Sequence, residues 1–294
     1  MKEYKCFTVS AEKKISHIVL NRPEKRNAMN LDFWNEFPEI INQIDQEGST
    51  QAIVISSSGP HFCSGLDVSL FQSDLLNIVK DEASKGILLM DYIQILQNAL
   101  SVMQECRVPV ITAIQGGCIG GGLDLVCASD IRIGTDKCYF SILETKLGLV
   151  ADIGTFPRLV KLIPDGLVRE LAFTGRNFTS SEALSSGFLN NLYPNQEIML
   201  KAAFGLAKEI VSNSSLTVHG CKKAINFSRD HSTTDGLNWV KMWNSSMLNM
   251  SSAWLKSQVL KPFLSAERCD CRFLSSSQQL TSRLPRASGG DSSS

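Results

Sequence analysis

The segment 116–124, Gly-Gly-Cys-Ile-Gly-Gly-Gly-Leu-Asp, constrains this chain more than any other part of it. It follows the apolar segment 108–114, which predicts a buried strand, and it leads into a predicted helix. Glycine lets the backbone turn sharply and approach a ligand closely. Free N–H groups at the start of a helix favour negative charge. The segment therefore predicts either a tight strand-to-helix turn or an anion site, and glycine alone favours the turn.

A second loop, segment 61–67 (His-Phe-Cys-Ser-Gly-Leu-Asp), also follows a predicted strand. It could supply another backbone N–H, and each donor to a developing oxyanion typically lowers the barrier by roughly 2.7–4 kcal/mol. A phosphate site has less support, because neither GxGxxG after the first strand nor GK[ST] is present. His61 suggests a catalytic triad, but no GxSxG motif accompanies it, and its place in a turn predicts a surface side chain.

Three carboxylates carry the remaining chemistry: Asp124, Glu144 and Asp152. Asp124 lies in the first turn of the predicted helix, where an acid often serves only as a cap. Glu144 and Asp152 lie among apolar residues, where an acid is costly to bury unless it is paired or used. Each is explained as well by a structural ion pair as by catalysis. If the three cluster, they raise one another's pKa values, and some stay protonated near neutral pH, as proton transfer to carbon requires.

The composition is that of a globular protein, with 294 residues, 43% of them hydrophobic and 20% charged. Lys plus Arg and Asp plus Glu both number 29, so no basic field favours a nucleic acid partner. No apolar run approaches the roughly 18 residues that a membrane span requires. The nine cysteines are scattered and odd in number, which predicts reduced thiols of an intracellular protein. Cys269 and Cys271 have no second Cys or His pair nearby, so no metal site is expected.

Apolar periodicity predicts strands that alternate with helices, followed by helices alone. The predicted strands are 4–10, 15–20, 52–56, 108–114 and 131–133. The predicted helices are 30–44, 87–105, 197–212, 216–227 and 234–250, and Pro38 argues against an unbroken first helix. The polar stretch 69–85 is predicted to be mobile and the serine-rich end of the chain to be disordered. We predict an α/β core over 1–195, a helical region over 196–250 and a divergent tail over 251–294.

These motifs, in this order, resemble the enoyl-CoA hydratase/isomerase (crotonase) superfamily over residues 4–249. The resemblance rests on three segments: 20–29 (Leu-Asn-Arg-Pro-Glu-Lys-Arg-Asn-Ala-Met), 62–67 and 116–124. It implies an α/β fold with a crotonase-like β-β-α spiral core and a helical C-terminal region. It also implies an acyl-CoA thioester as substrate, no metal or other cofactor, no membrane span, and a homotrimer or homohexamer.

The resemblance also assigns residues to the expected site. The N–H groups of Leu66 and Gly121 would form an oxyanion hole for the thioester oxygen. Asp124 and Glu144 occupy the positions of the family's two acids. The residues expected to contact the substrate are Ser64, Gly65, Leu66, Asp67, Val68, Gly121 and Gly122.

Asp152 distinguishes this chain within the superfamily, because hydratases typically have glycine there and glutamate at the position of Asp124. The three acids, with segment 149–155, are similar to the Δ3,5-Δ2,4-dienoyl-CoA isomerases of unsaturated fatty acid β-oxidation. That likeness implies isomerisation of 3,5-dienoyl-CoA to 2,4-dienoyl-CoA, with one proton removed at C2 and one added at C6. We expect Glu144 to act at C2 and Asp152 at C6, with Asp124 tuning both.

Two alternatives remain open at this point. An enoyl-CoA hydratase would add water with the first two acids, and a catalytically inactive member would bind acyl-CoA or RNA or act as a scaffold. The basic residues Arg22, Lys25 and Arg26 are explained equally well as ligands of CoA phosphates and as a solvated turn. The expected location is the mitochondrion, the peroxisome or both, by resemblance, although neither a presequence nor a C-terminal peroxisomal tripeptide is visible.

Overall fold

A computed structural model describes residues 2–67, 70 and 81–247 of the chain. The chain forms two compact units, 1–242 and 243–294, and only 243–247 of the second unit belong to the described part. Three predictions lie largely or wholly outside the described residues: the mobile stretch at 69–85, the tail at 251–294, and the pair Cys269 and Cys271. The domain boundaries at 195 and 250 stay a prediction.

Six strands form the main sheet, and strands are numbered here in chain order across the molecule. Along the sheet they are β1 (Phe7–Glu12), β2 (Ile15–Leu20), β3 (Ala52–Ser57), β4 (Val110–Ile114), β6 (Ile131–Thr135) and β9 (Asn191–Tyr193). β1 and β2 are antiparallel, and Lys13 and Lys14 between them have positive φ values of 50° and 68°. The other neighbours are parallel, which requires crossover connections that helices supply here.

A second sheet contains the start of the glycine-rich segment. Its strands are β5 (Gly117–Ile119), β7 (Tyr139–Ser141) and β8 (Phe178–Thr179). The sequence predicted that the glycines follow β4 and lead directly into a helix, but β5 intervenes and pairs in parallel with β7. An isolated parallel bridge joins Cys63 to Cys118, so the loop at 61–67 is tied to β5.

Nine α-helices occur in the described part of the chain. They are α1 (Leu31–Glu47), α2 (Glu82–Glu105), α3 (Gly121–Cys127), α4 (Thr155–Leu159), α5 (Asp165–Thr174), α6 (Ser180–Ser185), α7 (Gln196–Val211), α8 (Ser215–Asp230) and α9 (Thr233–Met247). The side chain of Asn30 accepts from the N–H of Phe33 and so caps α1. α1 continues through Pro38, contrary to the predicted break, because its buried apolar face outweighs the one missing hydrogen bond.

The main sheet is covered on both faces, which explains why its parallel strands are continuous apolar runs. Ile53 and Ile55 of β3 face the cluster that includes α1 and α2. Ala52 and Val54 of β3 face a second cluster, which α7 completes. The α7 residues in that cluster are Met199, Ala203 and Ala207, and all three are fully buried.

Helix α2 begins at Glu82, five residues before the start that its apolar pattern predicts. Asp81 caps it there and accepts from the N–H of Ser84. Within the described residues, its segment Ser84–Glu105 is by length and composition apolar enough to cross a bilayer. The sequence did not predict such a run, since polar residues are spread along it. Core helices of globular proteins pass the same test, and α2 contributes Leu96, Leu100 and Met103 to the core.

Lys222 joins α8 to the C-terminal end of α2. Its ammonium group donates to the carbonyls of Met103 (2.6 Å) and Val108 (2.9 Å), and it pairs with Asp130 at 2.8 Å. The residue is 5% exposed. Each of its partners would lose a donor in a mostly buried place if the amine were removed.

Lys222→Met should lower the free energy of unfolding by about 3 kcal/mol, because it removes one partner of a buried ion pair and keeps the aliphatic stem. Urea unfolding measures the change. Lys223→Met is the matched control, since Lys223 also bonds a backbone carbonyl, that of Glu105, but does so at the surface. The control should stay within about 0.5 kcal/mol of the parent. Equal stability of the two variants would contradict the structural role of Lys222.

Candidate active site

The loop that carries Gly65 and the glycine-rich segment touch through their backbones. Gly65 has a φ of +91°, a conformation that residues with a Cβ rarely adopt. A Cβ on Gly65 would lie 3.0 Å from the carbonyl oxygen of Ile119 and 3.4 Å from the nitrogen of Gly121. A Cβ on Gly122 would lie 2.9 Å from the Cβ of Cys63. Glycine is therefore required on both sides of this contact.

The backbone of Met29 orients Leu66. The N–H of Met29 donates to the carbonyl of Gly65 (2.9 Å), and the N–H of Asp67 donates to the carbonyl of Met29 (3.0 Å). Leu66 lies between these bonds and turns its own N–H to the opposite side. Within the described ranges, neither this N–H nor that of Gly121, the first residue of α3, donates a hydrogen bond. A Cβ on Gly121 would lie 3.7 Å from the nitrogen of Leu66, so two unused amide donors stand close together.

Arg22 braces the same loop. Its guanidinium donates to the carbonyl of Ala28 (2.5 Å) and to the carboxylate of Asp67 (3.2 Å). The side chains of Arg22 and Asp67 are only 17% and 15% exposed, so solvent screens this ion pair weakly. Arg22 is thus engaged in holding the loop, whereas Lys25 and Arg26 are exposed and remain candidates for phosphate contacts.

Asp124 is the most deeply buried of the three predicted acids, with 1% of the residue exposed. Its Oδ1 accepts hydrogen bonds from the backbone N–H and the hydroxyl of Thr155, at 2.5 and 2.7 Å. Burial raises the pKa of Asp124 to about 7, and the charge of Glu144 adds to the rise. The hydrogen bonds from Thr155 and the charge of Arg158 offset part of it.

Glu144 begins a 3-10 helix, Glu144–Leu147, and is half-buried beside the glycine-rich segment. A Cβ on Gly120, whose φ is +54°, would lie 3.1 Å from Glu144 Oε1, so a side chain there would displace the carboxyl group. Oε2 is buried and has no hydrogen-bond partner within the described part of the chain. Burial, followed by the charge of Asp152, raises the pKa of Glu144. A buried oxygen without a partner is available to a bound molecule.

Asp152 lies on the solvent-exposed side of the site. The sequence places Asp152 among apolar residues, and its neighbours Ala151 and Ile153 are indeed buried. Asp152 itself is exposed. Consecutive side chains of this non-helical segment point in different directions. The amide of Gln97 on α2 donates to the backbone carbonyl of Asp152 at 2.6 Å and holds the loop. Partial burial still raises the pKa of Asp152.

The three carboxyl groups line one cavity of about 210 Å³. They form a series from the buried Asp124 through the half-buried Glu144 to the exposed Asp152. The pKa of each of the first two is raised by the charge of the next one in the series. The remaining wall is mainly apolar and includes Leu89, Tyr92, Ile93, Leu96, Leu143 and Leu149. Such a site can move protons on a bound molecule while the amides of Leu66 and Gly121 face a negatively charged oxygen.

Most of the predicted site residues meet at this cavity. Those that line it are Ser64, Gly65, Leu66, Gly121, Asp124, Glu144 and Asp152. Asp67 is not part of the lining and pairs instead with Arg22, and Gly122 packs against Cys63 behind it. Val68 lies outside the described residues.

Other polar candidates have structural positions. His61, predicted at the surface, is half-buried, and its Nδ1 accepts from the N–H of Gly117 at 3.0 Å, which fixes the start of β5. Burial raises the pKa of the Cys63 thiol to about 12, so it stays protonated and inert. Among the described residues, no group of three or more His, Cys, Asp or Glu side chains is arranged to hold a metal ion.

Two residues that hold the acids were not among those predicted: Thr155 and Gln97. Thr155 is separated by 31 residues from Asp124, and Gln97 by 55 from Asp152. A glycine at the N-cap of the short helix α4 was the only available signal for Thr155. Nothing in the periodicity of α2 distinguishes Gln97 from its other polar residues.

Known proteins resemble this chain over most of its length. The family model for enoyl-CoA hydratase/isomerase matches residues 10–256. The mitochondrial Delta(3,5)-Delta(2,4)-dienoyl-CoA isomerase of Rattus norvegicus is 44% identical over 241 residues, which cover 81% of this chain and 74% of that protein. The peroxisomal Delta(3,5)-Delta(2,4)-dienoyl-CoA isomerase of Arabidopsis thaliana is 36% identical over 253 residues, covering 84% of this chain and 91% of that protein.

Solved structures have the same fold. An enoyl-CoA hydratase from Bacillus anthracis matches with a TM-score of 0.77 at 25% identity and covers 88% of this chain and 97% of that one. The predicted crotonase-like α/β fold with a helical C-terminal region is therefore confirmed. The chain belongs to the enoyl-CoA hydratase/isomerase family, and within that family it is an isomerase.

Proposed function

We propose that this isomerase converts a 3,5-dienoyl-CoA to the 2,4-dienoyl-CoA in the β-oxidation of unsaturated fatty acids. The observation that carries the proposal is a third carboxyl group, Asp152, on the cavity that Asp124 and Glu144 also line. Moving protons between two distant carbons requires an acid/base group near each of them. The relatives from Rattus norvegicus and Arabidopsis thaliana, which are named for this reaction, support it.

The reaction passes through an extended dienolate. A base takes the proton from C2, and the electron pair of that bond spreads over the diene and the thioester carbonyl. Most of the negative charge then lies on the thioester oxygen, where the N–H groups of Leu66 and Gly121 would donate hydrogen bonds. A proton adds at C6, the carbonyl is restored, and the double bonds now lie at C2 and C4. One proton is lost and one is gained, so no cofactor is required.

Glu144 is the base at C2 in this proposal, and Asp152 is the acid at C6. Glu144 Oε2 has no partner in the described part of the chain, so its lone pairs are available to a C–H bond. Asp152 is exposed, so it can recover a proton from water. Burial raises the pKa of both groups above the ordinary value of a carboxyl group, which makes each a better proton acceptor than a carboxylate in water. Asp124 tunes the charge and orientation of the other two.

The surroundings of the cavity agree with an acyl-CoA substrate. Its wall, with Leu89, Ile93 and Leu149, suits an acyl chain. Lys25 and Arg26 are exposed and follow Arg22 closely in the chain, so they are the proposed ligands of the CoA phosphates. We further propose that the protein acts in the mitochondrion, the peroxisome or both, as the names of the relatives suggest. The homotrimer or homohexamer that the family resemblance implies is part of the same proposal.

Asp152→Asn should stop isomerisation but leave proton exchange at C2. In deuterium oxide, Glu144 would still remove the C2 proton and return a deuteron, while no proton reaches C6. Deuterium should therefore enter the recovered 3,5-dienoyl-CoA, and the 2,4-dienoyl product should fall by roughly 10²–10⁴-fold. Mass spectrometry measures the label, ultraviolet absorbance measures the product, and ligand affinity should change little.

Glu144→Gln is the matched variant and should lose both the product and the exchange. If Glu144→Gln keeps the exchange and Asp152→Asn loses it, the two residues have the opposite roles. Full turnover in Asp152→Asn would show that Asp152 takes no part in the mechanism. A parent protein that hydrates 2-enoyl-CoA and leaves 3,5-dienoyl-CoA unchanged would be a hydratase. One that does neither would be a binding or scaffold protein.

Asp124→Asn should stabilise the protein at pH 8 and have little effect at pH 4. The pKa of Asp124 rises from 3.8 to about 7 on folding, so the folded state binds this proton more tightly than the unfolded state. Stability is therefore lost as the pH rises from about 4 to about 7, and the loss is complete above that range. Asparagine keeps an acceptor for Thr155 and carries no charge, so we expect a gain of up to about 4 kcal/mol at pH 8 in urea unfolding.

Glu182→Gln provides a control of opposite sign. Arg176 and Thr179 lower the pKa of Glu182 from 4.5 to about 2, so its contribution to stability is present above 4.5 and is lost as the pH falls toward 2. This variant should be less stable than the parent near neutral pH. Identical pH dependence of the parent and Asp124→Asn would contradict a buried, titrating Asp124.

A further inference from the structure

Thr155 makes the two oxygens of the Asp124 carboxyl group unequal. Its backbone N–H and its hydroxyl both reach Oδ1, at 2.5 and 2.7 Å, and Thr155 is itself 1% exposed. Oδ2 makes no hydrogen bond within residues 2–67, 70 and 81–247, although Asp124 lines the cavity. One oxygen is thus held and the other is free.

The loop after Asp152 brings Thr155 to this place. Gly154, at the N-cap of α4, has a φ of +139°, and a Cβ there would collide with the guanidinium of Arg158. The chain therefore turns sharply, and the N–H of Thr155, in the first turn of the helix, is not used within α4 and points to Asp124. The same loop thus carries Asp152 and, three residues later, Thr155, which holds Asp124.

The other groups around Asp124 act on it through their charge. The titratable and charged groups that face Asp124 are Glu144, Arg158, Cys118 and Cys127. Burial raises the pKa of both thiols, so they are neutral. The guanidinium of Arg158 donates its hydrogen bonds to Gln104, Ser101 and the carbonyl of Gly154. In the described part of the chain, Thr155 is therefore the sole hydrogen-bond donor to Asp124.

We propose that Thr155 is a positioning residue, which fixes the Asp124 carboxyl group so that its exchangeable proton is carried by Oδ2, on the side of the cavity and Glu144. A backbone N–H can only donate, so Oδ1 has to remain an acceptor whatever the pH. A proton on Oδ2 lets Glu144 stay ionised, because the charge of Glu144 acts on Asp124 and neighbouring carboxyl groups ionise one at a time. The catalytic meaning of this inference rests on the proposed function.

Thr155→Val is the direct test, because valine keeps the shape and the backbone N–H and lacks only the hydroxyl donor. We expect kcat to fall by about tenfold with little change in KM, since without the hydroxyl the carboxyl group of Asp124 is no longer fixed with its proton on Oδ2. The step of the pH–rate profile that belongs to Asp124 is the one that is absent in Asp124→Asn. In Thr155→Val this step should move to higher pH by about one unit, because the Asp124 carboxylate has lost one hydrogen-bond donor. Thr155→Ser should restore both values.

A second measurement does not depend on turnover. Urea unfolding across pH is measured for the parent and for Thr155→Val, each with and without Asp124→Asn. In each pair, the difference in unfolding free energy reports the titration of Asp124 alone. In Thr155→Val this titration should end at higher pH than in the parent. If the parent protein lacks isomerase activity, the proposed function fails and this measurement still tests the role of Thr155.

Thr112→Val is the matched control, because Thr112 is 0% exposed and its hydroxyl bonds Ser129 and the carbonyl of Ile131 away from the cavity. It should change neither the titration nor kcat. If Thr155→Val does not fold, Thr155→Ala gives the same comparison. A titration of Asp124 that is unchanged without the hydroxyl, or that Thr155→Ser does not restore, would overturn the proposal.

Discussion

Contact between two stretches of backbone, one at Gly65 and the other at Gly121, is the constraint on which the site depends. A Cβ on Gly65 would press on the carbonyl oxygen of Ile119 and one on Gly122 would press on Cys63, so either would force the two stretches apart. Bridges between Met29 and Leu66 and between Cys63 and Cys118 keep the stretches in register. The amide donors are therefore placed by sheet pairing and loop closure, and the side chains around them only have to leave enough room.

The acids obey a different constraint, which is the amount of water that reaches each of them. Asp124 is buried, Glu144 is half-buried and Asp152 is exposed, and each is the electrostatic neighbour of the next. Desolvation raises the pKa of all three, and most strongly that of the buried member. A graded series of this kind can keep a proton at the inner end while the outer end exchanges with solvent.

Sequence patterns predicted the parts of the fold that are long and periodic. β2, β3, α1, α7 and α8 were found within a few residues of their ends, because apolar spacing shows which face they bury. β5, β7 and β8 have two or three residues, too few for a period, and were missed. The family resemblance located the acids and the two amides, but contacts such as Thr155 with Asp124 join distant segments. The exposure of Asp152 depends on side-chain directions in an irregular loop.

Main-chain donors have a consequence for how such a protein can diverge. A mutation to any residue except proline leaves the amides at positions 66 and 121 in the chain, and they keep their places as long as Gly65 stays a glycine. The proposed oxyanion hole can thus be inherited unaltered while acids elsewhere on the wall are gained or lost. New reactions can then arise by exchanging one carboxylate, without rebuilding the backbone contact that places the two amides.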